Sequence, residues 1–368
     1  MKIVKATARY EAWLGARLTL IPADLDLKHR RMRESVFAFF RATYYRWAQR
    51  WPELCPDLTQ APRVLAVGDL HVENFGTWRD AEGRLVWGIN DFDEAWRLPY
   101  VNDLVRLATA AALAAQEHRL AIGGAKAAAA ILEGYRAALR AGGRPLILAE
   151  GHPALRAMAV DRLHEPERYW EKLTGLGTAR GPVPAGALRA LERMMPERGM
   201  ERRIVHRVAG LGSLGRQRYV ALAEWHGGLV AREAKALAPS AGLWAADGRG
   251  SARILYQEIL DRAVRCRDPF VRLQRRWIVR RLAPDCSRIE LAALPEVRDE
   301  RRLLRAMGWE TANAHLGSAK AKLLAADLAH RSQGWLRRAA AVMHEAVVED
   351  WRAWRSSARS GSGRSAAR

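Results

Sequence analysis

Apolar side chains recur at helical spacing through two Ala-rich stretches, about 101–119 and 124–141, and the pattern predicts a helix in each. Gly123-Gly124 parts them and Gly142-Gly143 stops the second. A longer amphipathic helix is expected over about 30–52, where Phe37, Phe40, Tyr44 and Trp47 share a face that reads as core.

The period changes further along. Residues 203–283 alternate strand-like runs with one helix at Arg253–Cys266, and Trp277–Leu282 reads as the strand entering a hinge. Glu258 on that helix could pair with a strand cation, although a surface salt bridge is the commoner fate of such a residue. Before this region lies a helical segment with a Gly/Pro-rich loop near 176–186. After it the chain reads as helical to about 355, and the Ser/Gly/Arg-rich stretch 356–368 reads as a disordered tail.

Three polar islands interrupt these patterns. In the first, Arg63–Val67 reads as a buried strand, Gly68 lets the chain turn, and Asp69-Leu70-His71-Val72-Glu73-Asn74 follows as a loop. A hairpin-type turn at Arg79–Gly83 and a second strand at Arg84–Ile89 then lead to the second island, Asn90-Asp91-Phe92-Asp93-Glu94. Two antiparallel strands would bring Asp69, Asn74 and Asp91 to one rim. An Asp, an Asn five residues on and a second Asp beyond a strand is the order used in kinase-type phosphoryl transfer.

The residue types suit that chemistry. Mg²⁺ takes hard oxygen ligands, so Asn74, Asp91 and Asp93 form the candidate metal set. Asp69 would accept or orient the proton of an attacking hydroxyl, with Asn74 and His71 completing the catalytic loop, although His71 is not assigned as the base. Gly-Asp turns and Asp-x-Asp clusters commonly only hold turns or cap helices. The joint pattern, with Pro99 and Asp103-Leu104 opening a helix, favours a site. Glu94 and Asp103 are read as structural, Asp103 as an N-cap or loop anchor.

The third island, Gly210-Leu211-Gly212-Ser213-Leu214-Gly215, is a Gly-x-Gly-x-x-Gly run whose bare backbone could approach phosphate oxygens. In a dinucleotide-binding unit it would open a helix, with Glu233 as the ribose-binding acid. In a kinase it joins two antiparallel strands and a cation follows on the next strand, here Arg232 or Lys235 in Leu229–Lys235. The third possibility is an ordinary tight turn. The company of Asp69, Asn74 and Asp91 favours the second, with Gly210, Gly212, Ser213, Gly215, Arg232 and Lys235 as nucleotide-binding candidates. The glycine run then follows the catalytic loop instead of preceding it. A circular permutation would reconcile the order, and Ala306–Leu316 looks like the helix that enters such a loop.

These islands carry a resemblance. Gly68–Gly76, Asn90–Glu94 and Gly210–Gly215, with Arg31–Arg41 upstream and Arg232-Glu233-Ala234 downstream, resemble the uncharacterised bacterial family numbered 2252 among the domains of unknown function. More distantly, the spacing of Asp69, His71, Asn74 and Asp91 is similar to aminoglycoside-phosphotransferase-like kinases. That likeness implies ATP and Mg²⁺ as cofactors. One departure is that Arg232 stands where a phosphate-pairing lysine is expected, with Lys235 three residues later.

Composition sets outer limits. A chain of 368 residues with 49% apolar content can hold two lobes. Its 61 Lys and Arg against 40 Asp and Glu give a formal charge of +21, which admits nucleic acid, anionic surfaces or acidic substrates. The arginines are scattered along helices, however, and pairs such as Arg275-Arg276, Arg280-Arg281 and Arg301-Arg302 commonly face solvent. The 14 tryptophans, Trp351 and Trp354 among them, read first as packing residues. Three widely spaced cysteines, Cys55, Cys266 and Cys286, without a Cys-x-x-Cys, suit a reducing cytoplasm. No apolar run is long enough to span a bilayer; Leu107–Ala115 is bounded by Arg106 and Gln116.

The fold class expected is α+β, a two-lobed protein-kinase-like arrangement, circularly permuted and mostly helical with a small antiparallel sheet lobe. Its parts would be 1–202 (catalytic-loop half of the helical lobe), 203–283 (nucleotide lobe), 284–355 (C-terminal helices completing the helical lobe) and 356–368 (tail). The leading function is an ATP- and Mg²⁺-dependent phosphotransferase on an unidentified small-molecule or protein acceptor. Two alternatives stand beside it. One is a metal-dependent phosphoesterase, since Asp69-Leu70-His71 also resembles the start of a two-metal site, although Gly151-His152-Pro153 is a poor continuation. The other is a non-catalytic nucleotide- or nucleic-acid-binding protein.

Overall fold

The computed structural model describes residues 1–160, 163–179, 181–287 and 297–362. Parts of the expected 176–186 loop, of the 284–355 segment and of the tail therefore lie outside the described residues. The chain is α+β, about half helical, with small antiparallel sheets.

The chain begins with four helices, α1 (Ile3–Gly15), α2 (Pro22–Glu34), α3 (Val36–Ala42) and α4 (Tyr44–Leu54). The single helix expected over 30–52 is thus in three pieces. Ser35 has extended backbone and its Oγ accepts from the Ala38 amide, an N-cap that restarts the helix, while Thr43 turns its hydroxyl back to the Phe39 carbonyl. The aromatic face survives the breaks: Phe37, Phe40, Tyr44 and Trp47 are all buried.

Strands β1 (Arg63–Ala66), β2 (Phe75–Arg79), β3 (Leu85–Ile89) and β4 (Trp96–Pro99) follow. The turn after Arg79 does make a hairpin, but it joins β2 to β3, and β1 pairs with β4 instead. Helices α5 (Val101–His118) and α6 (Gly124–Ala141) match their expected spans, and Gly142 caps α6 with a left-handed residue. Helix α5 is buried on nearly every side and forms the centre of the molecule. A short β5 (Leu146–Ile147) adds to β3, and α7 (Pro153–Val160), α8 (Pro166–Thr174) and α9 (Ala185–Glu192) lead out of this region.

A five-stranded antiparallel sheet comes next, built from β6 (Arg203–His206), β7 (Arg218–Trp225), β8 (Gly228–Ala236), β9 (Arg272–Gln274) and β10 (Trp277–Leu282) in the order β6-β7-β8-β10-β9. Two short helices, α10 (Ala241–Ala245) and α11 (Tyr256–Arg262), interrupt it where one was expected. Glu258 pairs with Arg97 of β4 and lies near Arg253 and Arg262, and it meets neither Arg232 nor Lys235 of β8.

The chain closes with α12 (Val297–Leu316), α13 (Ala321–His330) and α14 (Trp335–Ser362). Helix α12 crosses α6 at glycines: a Cβ on Gly134 would stand 1.8 Å from the Arg305 carbonyl oxygen, and one on Gly308 1.9 Å from that of Ile131. Backbones approach there as no other residue allows. Helix α14 continues to Ser362, beyond the expected start of the tail. Among the described residues no helix is long and apolar enough to cross a membrane, and the three cysteines are free thiols.

Candidate functional site

The loop after β1 owes its shape to a carboxylate beneath it. Asp103, in the first turn of α5 and fully buried, accepts from the amides of Val67 (2.7 Å) and Gly68 (3.0 Å). Its Oδ2 also lies 3.0 Å from His315 Nε2, whose other ring nitrogen meets the Tyr135 hydroxyl at 2.9 Å. Asp103 is a loop anchor, and α12 helps hold it. Two amides that would otherwise be orphaned at a strand end are satisfied in this way.

Above this anchor Asp69 faces a cleft. Its Oδ1 accepts from the Arg106 guanidinium, which is fully buried among Phe40, Tyr44 and Trp47. Burial pushes the Asp69 carboxyl up from its ordinary value, and Arg106 only partly opposes this. The loop closes on itself: Asn74 Oδ1 accepts from the His71 amide at 2.6 Å, and His71 Nδ1 accepts from the Glu73 amide. His71 therefore shapes the loop. The Asn90 amide donates to the Asn74 carbonyl, which sets the second island beside the first.

In that second island Asp91 and Asp93 share a cation. Lys235 Nζ lies 2.6 Å from Asp93 Oδ2 and 3.6 Å from Asp91 Oδ1. Against the desolvation of its enclosed site, Lys235 and Arg280 hold the Asp91 carboxyl well below the usual range. Burial and the neighbouring Asp91 charge push Asp93 the other way. Asp93 Oδ1 is buried without a hydrogen-bond partner. Arg216 closes the end of this row, 2.9 Å from Glu94 Oε1 and 3.6 Å from Asp93, while Glu94 Oε2 accepts from the Ala241 amide.

The opposite wall is the glycine run. Gly210, Gly212 and Ser213 line the cleft as a single 3₁₀ turn between β6 and β7. These strands are antiparallel and no helix opens at the glycines, so the dinucleotide-binding geometry is overturned. Glu233, its candidate acid, is buried among Arg207, Arg218 and Arg280 inside the sheet. Gly215 lies outside the cleft against Leu25, its carbonyl accepting from the Ile21 amide.

Strand alternation sorts the two candidate cations. Glu233 and Lys235 face the Asp91 side of β8, and Arg232 faces the other. Arg232 donates to the Met194 carbonyl and lies 4.9 Å from the Phe270 ring, so it does not line the cleft. Lys235 stands one layer behind Asp91 and Asp93 and does not line the free space itself.

The structure thus brings Asp69, His71, Asn74, Asp91, Asp93, Gly210, Gly212, Ser213 and Lys235 into one neighbourhood and leaves Arg232 and Gly215 outside it. Sequence reasoning missed Lys28, Arg41, Arg106 and Arg216. Of these only Arg216, directly after the glycine run, carried a signal; the others are single basic residues on helices. His152, the poor continuation of a two-metal site, does not line the cleft. Among the described residues no group of three or more His, Cys, Asp or Glu is placed to hold a metal ion. No curated protein and no solved structure matches the chain. The motifs that meet in this cleft fall within residues 19–168 and 201–357, which match the family described as "Uncharacterized protein conserved in bacteria (DUF2252)", and the chain belongs to that family.

Proposed function

We propose that the cleft binds a nucleotide with Mg²⁺ and passes a phosphoryl group to an acceptor hydroxyl, on a circularly permuted kinase-like arrangement. The observation that carries this reading is the meeting of two motifs some 140 residues apart: Asp69, Asn74, Asp91 and Asp93 on one wall face Gly210–Ser213 on the other, with Lys235 between the two carboxylates. A turn or capping role for either motif would not require the other.

The donor set suits Mg²⁺. Asp91 is held ionised, Asp93 has an oxygen with open valence, and the Asn74 carboxamide oxygen has a second lone pair beyond the His71 amide. When bound, the metal would neutralise phosphate charge. Lys235 keeps the two carboxylates from repelling each other, and Asp69, fixed by Arg106, would orient the acceptor hydroxyl. A two-metal phosphoesterase would need a His and Asp cluster of its own, and the described residues do not supply one.

Titration calorimetry with Mg²⁺–ATP and release of ADP test the reading together. Asp91→Asn should weaken Mg²⁺-dependent binding by about tenfold or more, and Asp69→Asn should keep binding and abolish turnover. Lys235→Ala should weaken binding where Arg232→Ala does not. Unchanged binding in both the Asp91 and Lys235 variants would overturn it, and binding without turnover in the parent protein would leave a nucleotide sensor.

A further inference from the structure

Lys28 belongs to none of the three polar islands, yet it lines the cleft from α2. Its side chain is buried, and its ammonium makes one hydrogen bond, 3.0 Å to the Gly212 carbonyl. Among the described residues no carboxylate stands within ion-pair distance of it. Arg216, beside it, is 5% exposed and has Nε and Nη1 without hydrogen-bond partners. Arg216 already has Glu94 and Asp93 beside it, whereas burying the Lys28 ammonium with donors to spare is costly unless something supplies the missing negative charge. Burial, and then the Arg216 charge, lower the Lys28 ammonium to about 8, as expected for a cation short of a partner.

The glycine turn is closed over this pair. A Cβ built on Gly212 would stand 2.9 Å from the Arg41 carbonyl oxygen and 3.6 Å from Asp69 Oδ2, and the cleft encloses only about 60 Å³ of free space. The Gly212 backbone and the Asp69 carboxylate thus stand too close for a phosphate to lie between them. A phosphate can come between the turn and Asp69 only if the turn lifts, and lifting takes the Gly212 carbonyl away from Lys28. The ammonium would be released as an anion arrives.

We infer that Lys28 and Arg216 form a subsite for the outermost phosphate of a polyphosphate ligand, Lys28 exchanging the Gly212 carbonyl for a phosphate oxygen. The inference rests on the proposed phosphate ligand and not on transfer. It assigns a phosphate-binding role to the N-terminal helices, outside the sheet and the acidic loops.

Inorganic tripolyphosphate, Mg²⁺–ATP and Mg²⁺–ADP are the probes, with affinities read by calorimetry on the full chain. Lys28→Met should bind tripolyphosphate and Mg²⁺–ATP about tenfold more weakly while Mg²⁺–ADP changes far less, and Lys28→Arg should keep most of the affinity. Should the methionine variant not melt cooperatively, Lys28→Gln takes its place. Parent-like affinity for all three probes in the charge-removed variant overturns the subsite and leaves the nucleotide reading standing. Loss of tripolyphosphate binding in that variant, with no Mg²⁺–ATP binding by the parent, supports the subsite and removes the nucleotide.

Discussion

Beneath Asp69, two backbone amides end on Asp103, which is itself held by His315 and, through it, Tyr135, all fully buried. Above Gly212, the glycine turn is held by the tips of long side chains, Lys28 to its carbonyl and Arg218 to Ser213 Oγ at 2.7 Å, with the Ile21 amide on Gly215 behind. The first loop is braced from the core and the second is tethered from its rim. The bonds to Asp103 end on a residue with no exposure and open only with large parts of the fold, whereas Lys28 and Arg218, though buried themselves, each hold the turn by one bond at the end of a long side chain, which can exchange locally. The cleft thus has one wall that stays and one that can move.

The largest effect should come from the fixed wall. Asp103→Asn places an amide donor against two backbone donors and strips His315 of its carboxylate. It should lower the unfolding free energy by about 4 kcal/mol in urea denaturation, as breaking a buried pair does. A loss no greater than that of a tether variant would erase the contrast between the walls.

Glu310 sharpens the same contrast through pH. It lies on α12 with His315, buried beside Asn313 and the Ile89 amide, and burial pushes its carboxyl up to about 7. The folded state therefore keeps a proton that the unfolded chain releases near its ordinary value. The stability from this group is complete below roughly pH 4.5 and is lost as pH rises to about 7. The difference is on the order of 3 kcal/mol. Denaturant unfolding from pH 4 to 8 should show this slope, and Glu310→Gln should flatten it.

The smallest effect belongs to the tether. Ser213→Ala removes the Arg218 contact and should cost less than about 1 kcal/mol globally, while hydrogen exchange at the glycine-turn amides speeds up and that of Val67 and Gly68 does not change. Equal acceleration at both walls would mean that they open as one unit.

These differences explain what could be read in the residues alone. Helices α5 and α6 and strand β10 were legible because periodicity and flanking glycines are local properties. The 30–52 stretch was not, since Ser35 and Thr43 break it with side-chain bonds that leave its hydrophobic period intact. The acidic islands and the glycine run were legible as chemistry, but their partners were not. Arg106, Lys28 and His315 act on loops 37, 184 and 212 residues distant, and no local pattern marks one basic residue among many. Arg232 was favoured by its spacing from the glycines, yet the pleat of β8 settles which side chain points at Asp91. Pairing β1 with β3 failed for a similar reason: a hairpin turn specifies its own two strands and says nothing about a third.

The position of Lys235 in the chain has a consequence for how the protein is made. During vectorial synthesis Asp91 and Asp93 emerge well before the ammonium that separates them, a delay of roughly ten seconds at ordinary elongation rates. Through that interval the nascent chain carries the two neighbouring carboxylates without the ammonium that stands between them in the folded protein.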